Sequence, residues 1–179
     1  MNWPKNRPAV VTLTLIVSVV AHALLTIVVP AAAIWTPLTD ATVRDSVAGL
    51  YVGLAGVSAM AAGFAGVVII FGLDSRSEKF LTFRQTAGHS LSANWISVIA
   101  SSFGSAGAGV AAAVLLLLGH PGVAPWLFEL GVLLVVHAAL RMLWLLRSLM
   151  RVVAADDGRT TRAQARAPLA RVFGNRSAG

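Results

Sequence analysis

The sequence contains no cysteine and few charged residues, and both shortages limit what the protein can be. Without cysteine there is no disulfide, no thiolate-bound metal and no thiol nucleophile. Only 12% of the 179 residues are charged, whereas 57% are hydrophobic. A soluble domain of this size could not cover so much apolar surface. The composition therefore predicts an integral membrane protein.

The common catalytic motifs are also missing from the sequence. There is no HExxH, no Gly-x-Ser-x-Gly, no phosphate-binding P-loop and no pair of carboxylates within one apolar stretch. We therefore expect no enzyme activity, no cofactor and no metal site.

Four long apolar runs are present, at residues 9–34, 47–73, 93–118 and 124–149. Each exceeds the ~20 residues that cross a ~30 Å hydrocarbon layer. They predict an all-α fold, a four-transmembrane-helix bundle over residues 1–150, followed by a basic and loosely ordered tail over 151–179. Between spans two and three, Phe80, Leu81 and Phe83 alternate with Lys79 and Arg84, which predicts a short interfacial helix.

The basic residues fall mostly on one side of this arrangement. Two precede span one, three lie between spans two and three, and seven follow residue 146, against Arg44 alone in the first connection. Because Lys and Arg are retained on the cytoplasmic side, both termini are expected to be cytoplasmic (N-in/C-in). A secretory signal is the alternative for residues 1–33, but its apolar core would be longer than the usual ~7–15 residues.

The tail arginines are expected to bind anionic lipid headgroups, chiefly Arg159, Arg162 and Arg166. No nucleic acid is expected as a partner, because no aromatic stacking platform accompanies these charges.

Polar residues recur every fourth position in two spans, which keeps them on one helical face. Span one has Thr14, Ser18, His22 and Thr26, and span three has Ser97, Ser101 and Ser105. Such rows either form polar packing seams or line a conduction path, and packing is the commoner outcome.

Rows of glycine are a second indication of helix packing, besides the polar rows. Gly49, Gly53, Gly56 and Gly63 follow one another in span two, and Gly109 continues the row of span three. Lipid provides no hydrophobic drive between helices, so small residues favour close contact of helix backbones. The sequence therefore predicts that these glycines pack helices together and that span two lies inside the bundle.

Span four carries the ionisable residues Glu129, His137 and Arg141. Glu129 lies near the outer boundary, where it either reaches water or needs a partner. Helical side chains lean toward the N-terminus of their helix, here away from the cytoplasm, so an internal partner or wet cavity is favoured for Arg141 over the headgroups. His22 and His137 are predicted at similar depth, either meeting each other or, as the favoured alternative, each bonding a carbonyl or hydroxyl such as that of Ser18.

The span pattern, the glycine-rich stretch 50–72 and the basic tail together resemble small four-span inner-membrane effectors of bacteria and temperate phages, the RexB-type exclusion proteins. The resemblance implies a homo-oligomeric ion channel of the bacterial inner membrane that depolarises infected cells in abortive infection. The alternatives are a non-conducting subunit that docks a membrane or cytoplasmic partner, a holin, and a proton-coupled transporter, which would require inverted repeats.

Overall fold

The computed structural model describes residues 8–74 and 78–174, and side chains are described outside 8, 69, 71–91, 149 and 152–174. The regular elements over these residues are all helical. The four long helices are α1 (Pro8–Val28), α2 (Arg44–Asp74), α3 (Glu78–Leu117) and α4 (Ala124–Gly174). Three short 3-10 turns, Pro30–Ala32, Thr36–Thr39 and Ala41–Val43, join α1 to α2. The predicted all-α fold class is confirmed.

Each long helix contains a segment that is long and apolar enough to cross a membrane. The candidate spans are Ala9–Val28, Ala41–Val68, Ser92–Leu117 and Ala124–Ser148. The chain is therefore a multi-pass membrane protein by the length and composition of its helices.

The first span is shorter than predicted, because α1 ends at Val28 rather than near residue 34. Pro30 follows directly, and proline has no N–H to continue a helical ladder and restricts the residue before it. His22 is consequently six residues from the end of its helix, ~9 Å along the axis, instead of at its middle.

Helices α3 and α4 are longer than the spans within them. The short interfacial helix predicted between spans two and three is not a separate element, since α3 runs without a break through 40 residues from Glu78. The tail predicted to be loosely ordered is helical to Gly174, because α4 continues for 51 residues. Alanine and arginine, both strong helix formers, are frequent in that extension.

Helix α3 lies between α2 and α4, and two apolar clusters show how the three helices run. One cluster joins the start of α2, the end of α3 and the start of α4, through Tyr51, Leu116 and Phe128 among others. The other joins the far ends, through Ala65, Trp95 and Leu145 among others. Consecutive helices are therefore antiparallel. The charge distribution predicts the first cluster near the outer face and the second near the cytoplasm.

Polar contacts stabilise the connections at the predicted outer face. Asp40 accepts hydrogen bonds at 2.8 Å from both the backbone N–H and the hydroxyl of Thr42, which holds the pKa of the Asp40 carboxyl below its usual value. Arg44 donates to the carbonyl of Leu116, linking the start of α2 to the end of α3. Gly119 turns the chain between α3 and α4 with a φ of +83°, in the left-handed region that glycine adopts without strain.

Helix α1 packs least against the rest of the protein. Val19 is its buried residue among those described, whereas most of its large apolar side chains face outward, including Leu13, Leu24, Ile27 and Val28. The helix touches α4 and, less closely, α3. The bundle is thus a three-helix core of α2, α3 and α4 with α1 against its side.

Two glycines allow close contact between helices of the core. A Cβ at Gly109 would lie 2.7 Å from the carbonyl oxygen of Tyr51, and one at Gly131 would lie 2.8 Å from Leu54 Cδ2 and 3.3 Å from the carbonyl oxygen of Ser105. The Gly109 contact is the backbone approach expected of a packing glycine.

The glycines of α2 do not make such contacts within the chain. A Cβ at Gly49, Gly53, Gly56 or Gly63 would meet nothing within 4 Å. The expectation that this row packs inside the bundle is wrong for contacts within one chain, because α3 is met by the opposite side of α2, which carries Tyr51, Ser58 and Ala65. Packing of this row against another chain stays a prediction.

We predict that Gly109→Ala destabilises the protein by about 1–3 kcal/mol, because the new methyl group would press on backbone atoms of α2 that cannot move independently. Gly53→Ala is the matched control, since its Cβ meets open space and alanine favours the helix by about 1 kcal/mol. Thermal unfolding of both variants in the same detergent measures the difference. Equal melting temperatures would show that the α2–α3 contact is looser than described.

Candidate functional site

A line of buried polar side chains follows the face of α3 that contacts α2 and α4. We call it the polar seam, and it consists of Asn94, Ser97, Ser101, Ser102 and Ser105 of α3 with Ser58 of α2. All six side chains are between 0% and 6% exposed. From Asn94 to Ser105 the seam extends for eleven residues, ~16 Å along the helix. The small size of serine lets the neighbouring helices approach while leaving hydroxyl groups between them.

Ser105 joins the three core helices at the centre of the seam. Its hydroxyl donates to the carbonyl oxygen of Gly131 at 2.6 Å and lies 2.7 Å from the hydroxyl of Ser58. Ser58 also lies 2.8 Å from the carbonyl oxygen of Leu54. Since Ser58 has a single hydroxyl hydrogen for these two acceptors, its O–H has two alternative orientations of similar geometry.

Three buried polar atoms near this region have no hydrogen-bond partner among the described residues. They are the Tyr51 hydroxyl, the Ser102 hydroxyl and Nε2 of His137. Leaving such an atom unsatisfied costs about 1–3 kcal/mol, and proteins commonly satisfy it with an internal water molecule. The interior of the bundle therefore has sites that favour water.

Arg141 lies at the predicted cytoplasmic end of the seam. Its guanidinium Nη1 donates to Oδ1 of Asn94 at 2.9 Å, across the contact between α4 and α3. This bond agrees with the expectation of an internal partner and comes from a partly buried side chain. A role for Arg141 in conduction stays a prediction.

A second polar group, the outer cluster, lies at the opposite end of the bundle and contains His22, Trp35, Trp126 and Glu129. Nδ1 of His22 is 2.9 Å from both carboxylate oxygens of Glu129, and Nε2 of His22 is 3.0 Å from the carbonyl oxygen of Ala32. The indole N–H of Trp35 donates to Oε2 of Glu129 at 2.7 Å. The Trp126 ring meets the His22 ring edge to face at 5.2 Å.

His22 does not meet His137; it bonds the backbone carbonyl of Ala32, in agreement with the favoured of the two alternatives, and also contacts Glu129. Both ring nitrogens of His22 are occupied by Glu129 and Ala32, and the early end of α1 places His22 near the outer boundary. Spans one and four are neighbours, but the residue of span four that His22 meets is Glu129. Glu129 has two protein partners and is only 16% exposed, so it does not simply reach into water.

The polar residues of α1 do not all contact the same neighbour. Thr14 and Ser18 face outward and bond carbonyls one turn back on their own helix, at 2.8 and 2.9 Å. Thr26 likewise bonds the carbonyl of Ala23. The row thus makes local bonds except at His22. The side chains of Arg159, Arg162 and Arg166 lie outside those described, although their backbone belongs to α4.

Six contributors to these sites were missed from the sequence. Ser58 and Ser102 lie off the four-residue rows, and Tyr51 has the position of an ordinary aromatic on an apolar face. Trp35 has the position of an interface anchor, and Asn94 and Trp126 lie near the starts of spans three and four. Ser58, alone among the small residues of span two in carrying a hydroxyl, was the one available signal.

Comparisons with family models, with curated proteins and with solved structures give no match to this chain. Among the residues whose positions are described, no group of three or more His, Asp or Glu side chains could hold a metal ion. The residues themselves must therefore support any functional proposal.

We predict an energetic coupling between Arg141 and Asn94 of about 0.5–2 kcal/mol, the range of hydrogen bonds between membrane helices. A double-mutant cycle with Asn94→Ala and Arg141→Met, followed by unfolding in mixed micelles, measures it. Arg141→Met combined with Thr26→Ala is the control pair, because distant and independent sites are additive. Additivity of the first pair would mean that the 2.9 Å contact contributes nothing.

Proposed function

We propose that the protein makes the membrane permeable to protons and thereby lowers the membrane potential. The observation that supports this proposal is the polar seam together with the unsatisfied atoms of Tyr51, Ser102 and His137. Two buried hydroxyl groups and one imidazole nitrogen without partners among the described residues are unusual for a dry packing interface.

The permeant is a proton because the centre of the seam has no room for a hydrated ion. Ser58, Ser105 and the Gly131 carbonyl are in direct contact at 2.7 and 2.6 Å. Protons need no lumen, since they transfer along hydrogen-bonded hydroxyls and water molecules. The two orientations of the Ser58 hydroxyl provide the reorientation that each successive transfer requires.

The polar residues extend through most of a membrane thickness. Tyr51 packs with Ala112 at the outer end of the core, eighteen residues along α3 from Asn94. That separation corresponds to ~27 Å, against a ~30 Å hydrocarbon layer. From the predicted cytoplasmic end outward, the polar residues are therefore Arg141 and His137, then the serines of the seam, and then Tyr51.

Arg141 and His137 have different roles in this proposal. The guanidinium of Arg141 holds α4 against α3 at the predicted cytoplasmic end of the seam through its bond to Asn94. His137, four residues earlier on the same helix, is the residue type that binds and releases protons near neutral pH.

The biological setting that we propose is the bacterial inner membrane, with N-in/C-in topology and a homo-oligomer. The resemblance to RexB-type effectors supports a role in phage exclusion, where depolarisation would stop an infected cell from producing phage. The outward glycine row of α2 offers a face through which copies would associate.

The test is proton flux into liposomes that contain the purified protein, under a potassium diffusion potential, with an internal pH dye. We expect a protein-dependent flux that Ser105→Ala lowers about tenfold, because losing one hydrogen-bonded hydroxyl from the transfer path costs ~1.4 kcal/mol in the barrier. Ser148→Ala is the control, since that hydroxyl bonds only the Trp144 carbonyl one turn back. Undiminished flux in Ser105→Ala, or no flux in the wild type, contradicts the proposal.

A non-conducting subunit of a larger membrane complex is the second candidate function. It is favoured by the open glycine row of α2, where Gly49, Gly53, Gly56 and Gly63 leave space for another helix. In this case Gly53→Leu with Gly56→Leu should abolish co-purification of a stoichiometric partner in mild detergent. Liposomes of the isolated wild type should then show no proton flux, and Ser105→Ala should assemble normally.

A further inference from the structure

The attachment of α1 to the three-helix core depends on few contacts. Val19 is its buried side chain among the described residues, and its outward apolar residues face lipid. Against this sparse packing, Nδ1 of His22 of α1 lies 2.9 Å from Oε1 of Glu129 of α4, a contact that is charge-assisted when His22 is protonated. In a low-dielectric surrounding such a charge-assisted bond is much stronger than at a water-exposed surface.

The hydrogen atoms in the outer cluster can be assigned from its acceptors. The Ala32 carbonyl can only accept, so Nε2 of His22 carries a hydrogen. The Glu129 carboxylate already accepts from the indole N–H of Trp35. Two arrangements with the same number of protons satisfy every group: a His22 imidazolium donating from Nδ1 to the Glu129 carboxylate, or a neutral His22 accepting at Nδ1 from a protonated Glu129. In both, one proton is shared between Nδ1 and the carboxylate, and adding or removing one proton disrupts this match.

A cleft of about 120 Å³ lies beside this pair, between the first outer connection and the start of α4. Its walls include Trp35 and Trp126, the two aromatic residues that touch the pair. At ~30 Å³ per water molecule the cleft holds about four. The cleft therefore brings water as far as the two tryptophans, and the side chains of His22 and Glu129 themselves remain 21% and 16% exposed.

We propose that the His22–Glu129 pair is a proton-binding site open to the outer side, and that its protonation state determines whether α1 is fastened to α4. The pair fastens the helix while one proton is shared between Nδ1 of His22 and the Glu129 carboxylate. Acidification adds a second proton to the pair, and alkalinisation removes the shared one. The attachment is therefore strongest in an intermediate pH range and weakens on both sides of it.

The other ionisable groups around the cluster have partners of their own or lie on separate segments. In the first connection, Asp40 is bonded to Thr42. At the start of α2, Arg44 is bonded to the Leu116 carbonyl and is followed by Asp45. His120 lies in the turn before α4, and His137 is the next titratable residue along α4 after Glu129. The experiment must distinguish any effect of these groups on the α1–α4 distance from the effect of the pair.

The experiment measures the distance between α1 and α4 as a function of pH. Because the chain has no cysteine, Ile27→Cys with Val123→Cys gives two unique labelling sites at exposed positions near the cluster. Spin labels in nanodiscs, followed by double electron–electron resonance from about pH 4 to 9, report the distance distribution. We expect one narrow distribution near neutral pH and a broader, longer one at both ends of the range.

Glu129→Gln is the decisive variant, since it keeps the size of the side chain and the Trp35 acceptor but removes the charge. It should give the broad distribution at every pH in the range, because the pair is absent whatever the state of His22. Asp45→Asn, which removes an exposed carboxylate outside the cluster, should behave as wild type.

A wild-type distribution that does not change with pH overturns the proposal, and this measurement needs no variant that could misfold. So does a Glu129→Gln distribution that stays narrow and follows the wild-type profile. Because the readout is a distance, the result is independent of whether the polar seam conducts protons.

Discussion

Every polar group within a membrane must find its partner inside the protein, and this constraint explains most of the structure. Arg141 meets Asn94, Ser105 meets Ser58 and the Gly131 carbonyl, and Glu129 meets His22 and Trp35. Each bond joins two or more helices, so the polar groups also fix which helices are neighbours. The cost of an unsatisfied group in hydrocarbon is what makes these few contacts specific.

The sequence predicted the helical architecture well because the hydropathy signal depends only on local composition. Spans one, three and four begin within one residue of the predicted positions, whereas span two begins six residues early, at Ala41. Proline at residue 30 accounts for the error at the end of span one. The partners of the polar side chains were harder to predict. Glu129 and His22 are 107 residues apart, and nothing in a single sequence states which span faces which.

The glycine rows also show that local composition predicts a helix better than it predicts the neighbours of that helix. A glycine row shows that close approach is possible, but the direction in which it faces depends on the neighbouring helices. Gly109 faces α2, whereas the glycines of α2 face away from the core. Gly131, which allows Ser105 and Leu54 to approach α4, is a single glycine without a row and gave no signal in the sequence.

Helix α4 joins both polar sites to a long extension. It carries Glu129, Gly131, His137 and Arg141, and it continues as one unbroken helix of 51 residues to Gly174, ~76 Å in all. About 39 Å of that length extends past the end of its candidate span at Ser148. The extension and both polar sites therefore belong to one continuous hydrogen-bonded helix, with no loop between them.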